Sequence, residues 1–442
     1  MDFDVLVLGG GYAGLSVGAL LAHNKHRVIL LEKSDVLGGR ASFMEKDGYI
    51  VEYGLHANRL ASEGAAAAVF RRLGRELEFV EMGEPELWKD GKWHPLPNSV
   101  GKILKSPTLP RSARIRAALY LSKLVLGRPS KKYQLSLQDF TAKCTSTETL
   151  ELIRILSGIS IIAPELRHAS AGELGAFLKK ALRAKVKVGY PRGGTRQIIE
   201  GLREELEANG RIITGSRVTR LMLKKGLVTQ VKTDTASFAA RAVISSVPVQ
   251  QLPDLFGGKD LPIKFVKSAR DLVPTAGIVL DVGLKEEVSE QKGLLVTSEP
   301  LSMGHFTSNI DPTMAPPGHQ LLSWFYPLPQ AWIKNREKVR REEQRLRELL
   351  DEMYPGIWKA VDWERSLYLP MVDGFLPRPG QTREDRPDFT VTSIENFFIC
   401  GDTTRAEGTG GDAAFNSAIH VSRLVEKYLQ ESGYEVEEEK TD

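Results

Sequence analysis

Phe3-Asp4-Val5-Leu6-Val7-Leu8-Gly9-Gly10-Gly11-Tyr12-Ala13-Gly14 is the stretch whose reading decides the fold of this chain. A short apolar run that ends on glycines predicts a buried parallel strand over residues 3–8. Tyr12–Ala22 then predicts a helix rich in Ala and Leu, and Arg27–Glu32 a second strand. Together they make a β-α-β unit of the ~30 residues such units need. Gly9, Gly11 and Gly14 stand at G-x-G-x-x-G spacing between the strand and the helix, the context that gives the pattern meaning. Gly9 makes the tight turn, Gly11 lets the backbone approach a pyrophosphate, and Gly14 lets the helix pack closely on the strand. Tyr12 and Ala13 belong to the same turn, where a helix N-terminus offers free N–H groups and a positive dipole end to phosphates.

Glu32 ends the second strand where a carboxylate accepts hydrogen bonds from ribose hydroxyls, and Lys33 follows it. A 2′-phosphate would be repelled there, which argues against NADP. The turn alone does not separate NAD from FAD. Beyond it, Leu37-Gly38-Gly39-Arg40-Ala41 sets two glycines and an arginine one short loop past the acid. A flexible loop with a guanidinium reaching the pyrophosphate suits a long extended dinucleotide, so these residues favour FAD.

The 442 residues allow two or three packed regions, and a net charge of +4 does not imply nucleic acid. Two cysteines, Cys144 and Cys400, make no disulfide framework, and a reducing, cytoplasmic compartment is expected. Met1-Asp2-Phe3-Asp4 has no basic region or cleavage site of a signal peptide, and apolar stretches such as Leu152–Pro164 are too short to span a bilayer. Residues 92–180 are predicted mostly helical. From Lys92 to Gln138 there is no acidic residue, while Lys102, Lys105, Arg111, Arg114, Arg116, Lys123, Arg128, Lys131 and Lys132 interleave with apolar residues. A basic amphipathic stretch over 102–132 can lie peripherally on the inner face of an anionic membrane; the simpler alternative is a solvated helical face. Thr195–Ala208 is predicted as an amphipathic helix, and Asn335–Tyr354 as an exposed outer helix charged on most faces.

Glu32-Lys33-x(4)-Gly38-Gly39-Arg40 resembles the segment that follows the glycine turn in the FAD-dependent group of phytoene desaturases, protoporphyrinogen oxidases and flavin amine oxidases. Asp47-Gly48-Tyr49 and Glu52-Tyr53-Gly54-Leu55-His56 resemble that group's segment near the isoalloxazine, with Glu52 in place of the usual Asp. Phe398-Ile399-Cys400-Gly401-Asp402 resembles its strand-Gly-Asp segment, and the resemblance implies that Asp402 bonds the ribityl chain or pyrophosphate. Gly408–Ala414 opens a helix whose start, at Gly411, Asp412 and Ala413, would stabilise charge on the reduced flavin. Tyr190–Gly194, Arg217–Arg220 and Ser245–Pro248 match further segments, with the Val218 backbone implied to face the adenine. The expected fold is α/β: a Rossmann-type FAD domain assembled from 1–88, 186–256 and 388–432, a helical subdomain over 89–185, an α+β substrate domain over 257–387, and a disordered tail, 433–442.

The resemblance implies an FAD-dependent oxidoreductase, with three branches for its substrate. Tyr190–Gly194 and Glu395–Arg405 look closest to phytoene desaturases, which act on lipophilic polyenes. Asp90–Pro97 is similar to a protoporphyrinogen oxidase segment, and amine oxidases come third. Hydride abstraction at a carbon centre of a lipophilic, isoprenoid-like substrate is the leading expectation. A non-enzyme alternative is a GDP-dissociation-inhibitor-like binder of prenylated partners, which loss of the phosphate-binding glycines or of Gly401-Asp402 would indicate; both are intact. His56 is the candidate acid/base, against the plainer reading of a loop histidine held by a hydrogen bond. Arg59 reads as structural or as a flavin contact, and Asp412 meets the flavin through its backbone N–H. Cys400 reads as core, as by default does the Trp324-Phe325-Tyr326 run, whose alternation lets at most some of the three face a substrate cavity. His94, His168, His305 and His420 lack metal-ligand spacing, so no metal is expected.

Overall fold

The computed structural model describes residues 3–56, 60–184, 188–258 and 260–432. Two large sheets organise it. The first has six strands in the order Thr390–Val391, Ile394–Ile399, Ala240–Ser245, Phe3–Leu8, Val28–Leu31 and Gly210–Ile213. All neighbours from Ile394–Ile399 to Gly210–Ile213 pair in parallel. Three distant stretches of chain therefore build one sheet. Its first strand is apolar on both faces because both are covered: Val5 and Val7 join a core with the helices, while Leu6 and Leu8 join a second core with Phe397 and Ile399.

The helices of the first face are Tyr12–His23, Ala65–Arg72, Thr195–Glu207 and Gly410–Glu431. Ile198, Ile199, Leu202 and Leu206 supply the buried stripe of the third. Cys400 lies in the same core, where burial pushes its thiol pKa up and leaves it unreactive.

The second sheet has seven strands in the order Val361–Leu369, Ala276–Leu284, Gln320–Leu328, Leu301–Phe306, Gly293–Ser298, Gly83–Lys89 and Lys92–Pro95. The expected helical character of 92–180 fails at its start. Lys92–Pro95 pairs antiparallel with Gly83–Lys89, which pairs in parallel with Gly293–Ser298. The hairpin closes over the two-residue turn Asp90-Gly91, both residues at positive φ, a local signal that outweighs the helical reading there. Helices proper begin at Val100, and Arg111–Val125, Thr147–Ile161 and Ala171–Arg183 share an apolar core.

The charged helix, Arg336–Met353, is not merely an outer one. Val339, Leu346, Leu350 and Met353 form a narrow stripe that packs on Trp324 and Tyr326, sealing the back of the seven-stranded sheet. Phe325, between those two aromatics, faces the opposite side. The expected disordered tail and Arg59 lie outside the described residues. Among the described residues no helix is long and apolar enough to cross a membrane.

Candidate functional site

The three glycines of the opening turn do three different things. Gly9 sits at φ +95°, a conformation L side chains rarely adopt. A Cβ on Gly14 would stand 1.9 Å from the Gly9 carbonyl oxygen and 2.7 Å from Ser246 Oγ, so Gly14 is required by packing alone. A Cβ on Gly11 would meet only the Gly38 carbonyl oxygen, at 3.8 Å. Among the described residues nothing needs that position empty, whereas a closely approaching ligand does.

The second glycine pair flanks the first turn. Gly11 and Gly38 form a parallel bridge, and Gly38 N–H donates to the Gly10 carbonyl at 2.8 Å. Gly39, at φ +58°, would carry a Cβ 3.3 Å from the Gly11 Cα. Two loops thus lie backbone to backbone, beside the uncapped start of helix Tyr12–His23 at Tyr12 and Ala13. Glu32, 6% exposed, follows the second strand. Its carboxylate accepts from Gly10 N–H at 2.6 Å and from Ser34 N–H at 2.8 Å. Each oxygen keeps lone-pair capacity for a hydroxyl. Lys33 points to solvent, and the chain at Ser216 donates to the Glu32 carbonyl, which brings Val218, two residues on, to the same end.

The far end of the chain closes the site. Helix Gly410–Glu431 begins beside the first helix: the Phe415 and Tyr12 rings are 4.7 Å apart, and a Cβ on Gly411 would come within 3.7 Å of the Tyr12 ring. Thr409 makes no side-chain cap, so Gly411, Asp412 and Ala413 present backbone N–H groups there. Gly401, at φ +121°, leads into Asp402, which is 2% exposed. Asp402 takes a bidentate contact from Arg40 at 2.7 and 2.8 Å and a third bond from Gly374 N–H at 2.6 Å. Burial acts to raise this carboxyl, but Arg40 and the bonds outweigh it and hold it below the usual range.

That arrangement differs from separate contacts of Arg40 and Asp402 to the ligand. Here the carboxylate orients the guanidinium, which also donates to the Val372 carbonyl. Arg386, 1% exposed, stacks on Phe375 at 3.7 Å and donates to the carbonyls of Asp402 and Ala406. Neither the 372–375 turn nor Arg386 was singled out from sequence; a lone arginine after Gly380-Gln381-Thr382 carries no spacing signal.

The segment expected to face the flavin comes next. Gly54, at φ +131°, stands beside His56, whose Nε2 is 3.3 Å from where a Gly54 Cβ would be. The His56 ring is tied to the Tyr53 backbone, and burial pushes its pKa down to about 4, so it is neutral at pH 7. Its Nε2 is buried without a partner among the described residues. Leu55 packs into an apolar group with Phe325, Val279, Met303, Leu87 and Ile155, drawn from the seven-stranded sheet and the helix Thr147–Ile161. Glu52 sits behind this segment and accepts from Thr195 N–H at 2.6 Å.

These features fit a dinucleotide carrying a redox ring. The Gly11 opening and the adjacent helix start suit a pyrophosphate, Glu32 a ribose, and the Gly411–Ala413 turn a ring that gains negative charge.

Residues 12–425 match the profile of the family described as flavin containing amine oxidoreductase. A phytoene dehydrogenase from Streptomyces griseus is 24% identical over 421 residues, covering 83% of this chain and 82% of that protein. A chloroplastic protoporphyrinogen oxidase from Spinacia oleracea is 26% identical over 198 residues, covering 43% of this chain and 33% of that protein. Among solved structures, an oxidoreductase from Methanosarcina mazei superposes with a TM-score of 0.79 at 20% identity, over 95% of this chain and all of that one.

Proposed function

We propose that this chain, which belongs to the flavin-containing amine oxidoreductase family and is an FAD-dependent oxidoreductase, dehydrogenates a lipophilic, isoprenoid-like substrate at a carbon centre. The observation that carries the substrate reading is the wall around Leu55. Phe325, Val279, Met303, Leu87 and Ile155, all buried, pack with Leu55 of the segment expected to face the flavin as one apolar cluster. Where such side chains line a substrate space they bind hydrocarbon by removing it from water, at about 25 cal/mol per Å². Within this cluster Phe325 is the single aromatic face an ammonium could meet.

Bound FAD supplies the two-electron acceptor. The chain's own residues hold and exclude. Gly11, Gly39 and the first helix hold the pyrophosphate, Glu32 holds the ribose, and Arg40, oriented by Asp402, sits at the junction. The Leu55 wall keeps water from the reacting carbon. His56, neutral and with Nε2 free, offers a proton acceptor rather than a cation beside it. In the FAD-loaded protein without oxygen, a phytoene-like polyene should bleach the flavin, and porphyrinogens and amines should not. Bleaching by a porphyrinogen or an amine alone would replace this substrate class.

The basic stretch fits delivery of such a substrate. On helix Arg111–Val125, Ala113, Ala117, Leu121 and Leu124 face inward, while Ile115 and Leu119 are 59% and 56% exposed between Arg111, Arg116 and Lys123. Apolar side chains ringed by cations match the boundary of an anionic bilayer. Vesicles with anionic headgroups should bind the protein, weakly at high salt. Ile115→Glu with Leu119→Glu should reduce binding at least tenfold while leaving FAD content unchanged; equal binding would leave this surface merely solvated.

A further inference from the structure

One group of buried polar side chains has no part in the chemistry above. It lies where three separated stretches meet: Glu52 at the end of strand Tyr49–Glu52, Tyr190 within Gly189–Pro191, and His305 on Leu301–Phe306 of the seven-stranded sheet. Tyr190 is 0% exposed and His305 1% exposed, and their rings meet edge on at 5.7 Å. The Tyr190 hydroxyl stands beside the Glu52 carboxyl, and Gly194 leaves the space between them open. A Cβ there would be 2.6 Å from Glu52 Oε1 and 2.9 Å from the hydroxyl.

Four polar atoms of this group meet no partner but the Glu52 carboxyl, and two of them, the His305 ring nitrogens, meet none at all among the described residues. They are the Tyr190 hydroxyl, both ring nitrogens of His305 and Thr195 Oγ1. Single unmet atoms occur in native cores, but several converging from different segments are the signature of buried water, which takes 2–4 such partners per molecule. His305 is held neutral, pushed down to about 4 by burial. It therefore presents one donor and one acceptor rather than a charge.

We propose that Glu52, Tyr190 and His305 enclose a buried, water-holding site at which the chain binds and releases one proton directly behind the flavin-facing segment. The exchange is a single acid–base step: the carboxyl O–H bond of Glu52 breaks, its electron pair stays on the carboxylate, and the proton passes to water at the Tyr190 hydroxyl. The reverse step restores the acid.

The groups facing Glu52 set its balance. Burial disfavours the anion, and Asp281 from the seven-stranded sheet opposes it further; Thr195 N–H and the Tyr190 hydroxyl favour it. Tyr12 of the first helix, the residue after Gly11, also lies within reach of its charge, and Asp311 within reach of Tyr190. Arg365 is close but donates to the Glu52 carbonyl and to Asp281. The outcome is a carboxyl pushed up to about 7 from its ordinary 4.5.

A carboxyl raised on folding makes the folded state the better proton binder, so stability falls as pH rises between the two values. Thermal midpoints of the FAD-loaded protein should therefore drop from about pH 4.5 to about pH 7 relative to Glu52→Gln, whose amide oxygen keeps the bond to Thr195. Infrared spectra of the wild type should show a protonated carboxyl band that titrates near pH 7 and is missing in Glu52→Gln. Tyr190→Phe should move that titration to higher pH, because the lost hydroxyl favoured the anion. Parallel midpoint curves for wild type and Glu52→Gln, or no titrating band, overturn the proposal. If Glu52→Gln does not fold, the Tyr190→Phe titration decides: an unmoved midpoint overturns it.

Discussion

Gly11→Val is expected to yield a folded protein that no longer retains FAD. The expectation rests on the contrast among the glycines of one turn. At Gly14 any Cβ collides with the Gly9 carbonyl at 1.9 Å, so Gly14→Ala should fail through the fold itself. At Gly11 the only atom of the described residues within 4 Å of a Cβ, beyond its chain neighbours, is the Gly38 carbonyl oxygen, and the backbone is extended, at φ −80° and ψ −179°. A Cβ is therefore compatible with the chain, while the branched side chain fills the space a pyrophosphate lying against it would need. FAD affinity should fall at least 1,000-fold, roughly 4 kcal/mol. The far-ultraviolet circular dichroism and the denaturation midpoint of the FAD-free protein should match the wild type's. A yellow Gly11→Val protein with stoichiometric FAD would show that the pyrophosphate lies elsewhere. A misfolded one would show that the open space is not open.

The same contrast shows what the sequence could and could not tell. Residues 3–14 and Glu32 were readable because strand, turn, helix and acid follow one another within a unit whose geometry is local. Gly401-Asp402 and the Gly410 helix were readable by resemblance, although their contact with the first helix through Tyr12 and Phe415 spans about four hundred residues. The hairpin at Lys92–Pro95 was legible in the Asp90-Gly91 turn that closes it, which a helical reading of 92–180 overrode; what no local pattern showed is the parallel pairing of Gly83–Lys89 with Gly293–Ser298. Pairing between strands about two hundred residues apart is a tertiary property that no local period shows. The buried stripe of Arg336–Met353 was obscured because its five apolar contacts are spread thinly among charges. The Arg40–Asp402 pair was hidden for another reason. Each residue had a sensible separate role toward the ligand, and only the structure brings the two side chains together.

Arg365→Met should destabilise the protein by roughly 3–5 kcal/mol and weaken FAD binding about tenfold, although Arg365 touches no residue of the dinucleotide turn. Arg365 stands on the edge strand Val361–Leu369 and reaches two ways. Toward its own sheet it bonds Asp281 at 2.6 and 3.0 Å; Asp281 is 0% exposed and has Ser323 as its other partner. Toward the flavin segment it donates to the Glu52 carbonyl at 2.5 Å and stacks on the Tyr53 ring at 4.5 Å. Removing it strands a buried carboxylate and frees the two residues that precede Gly54. Burial already pushes the Asp281 carboxyl up, with Arg365 as the main opposing influence. Without that influence the folded state prefers the protonated acid still more, so the loss of stability should be smaller at about pH 5 than at about pH 8. In an Asp281→Asn background no charge is left to strand, and Arg365→Met should then cost only about 1 kcal/mol, with little pH dependence. Equal costs in the two backgrounds would mean that Arg365 acts through packing on Tyr53 alone. The tie between the substrate sheet and the flavin-facing segment would then be aromatic rather than ionic.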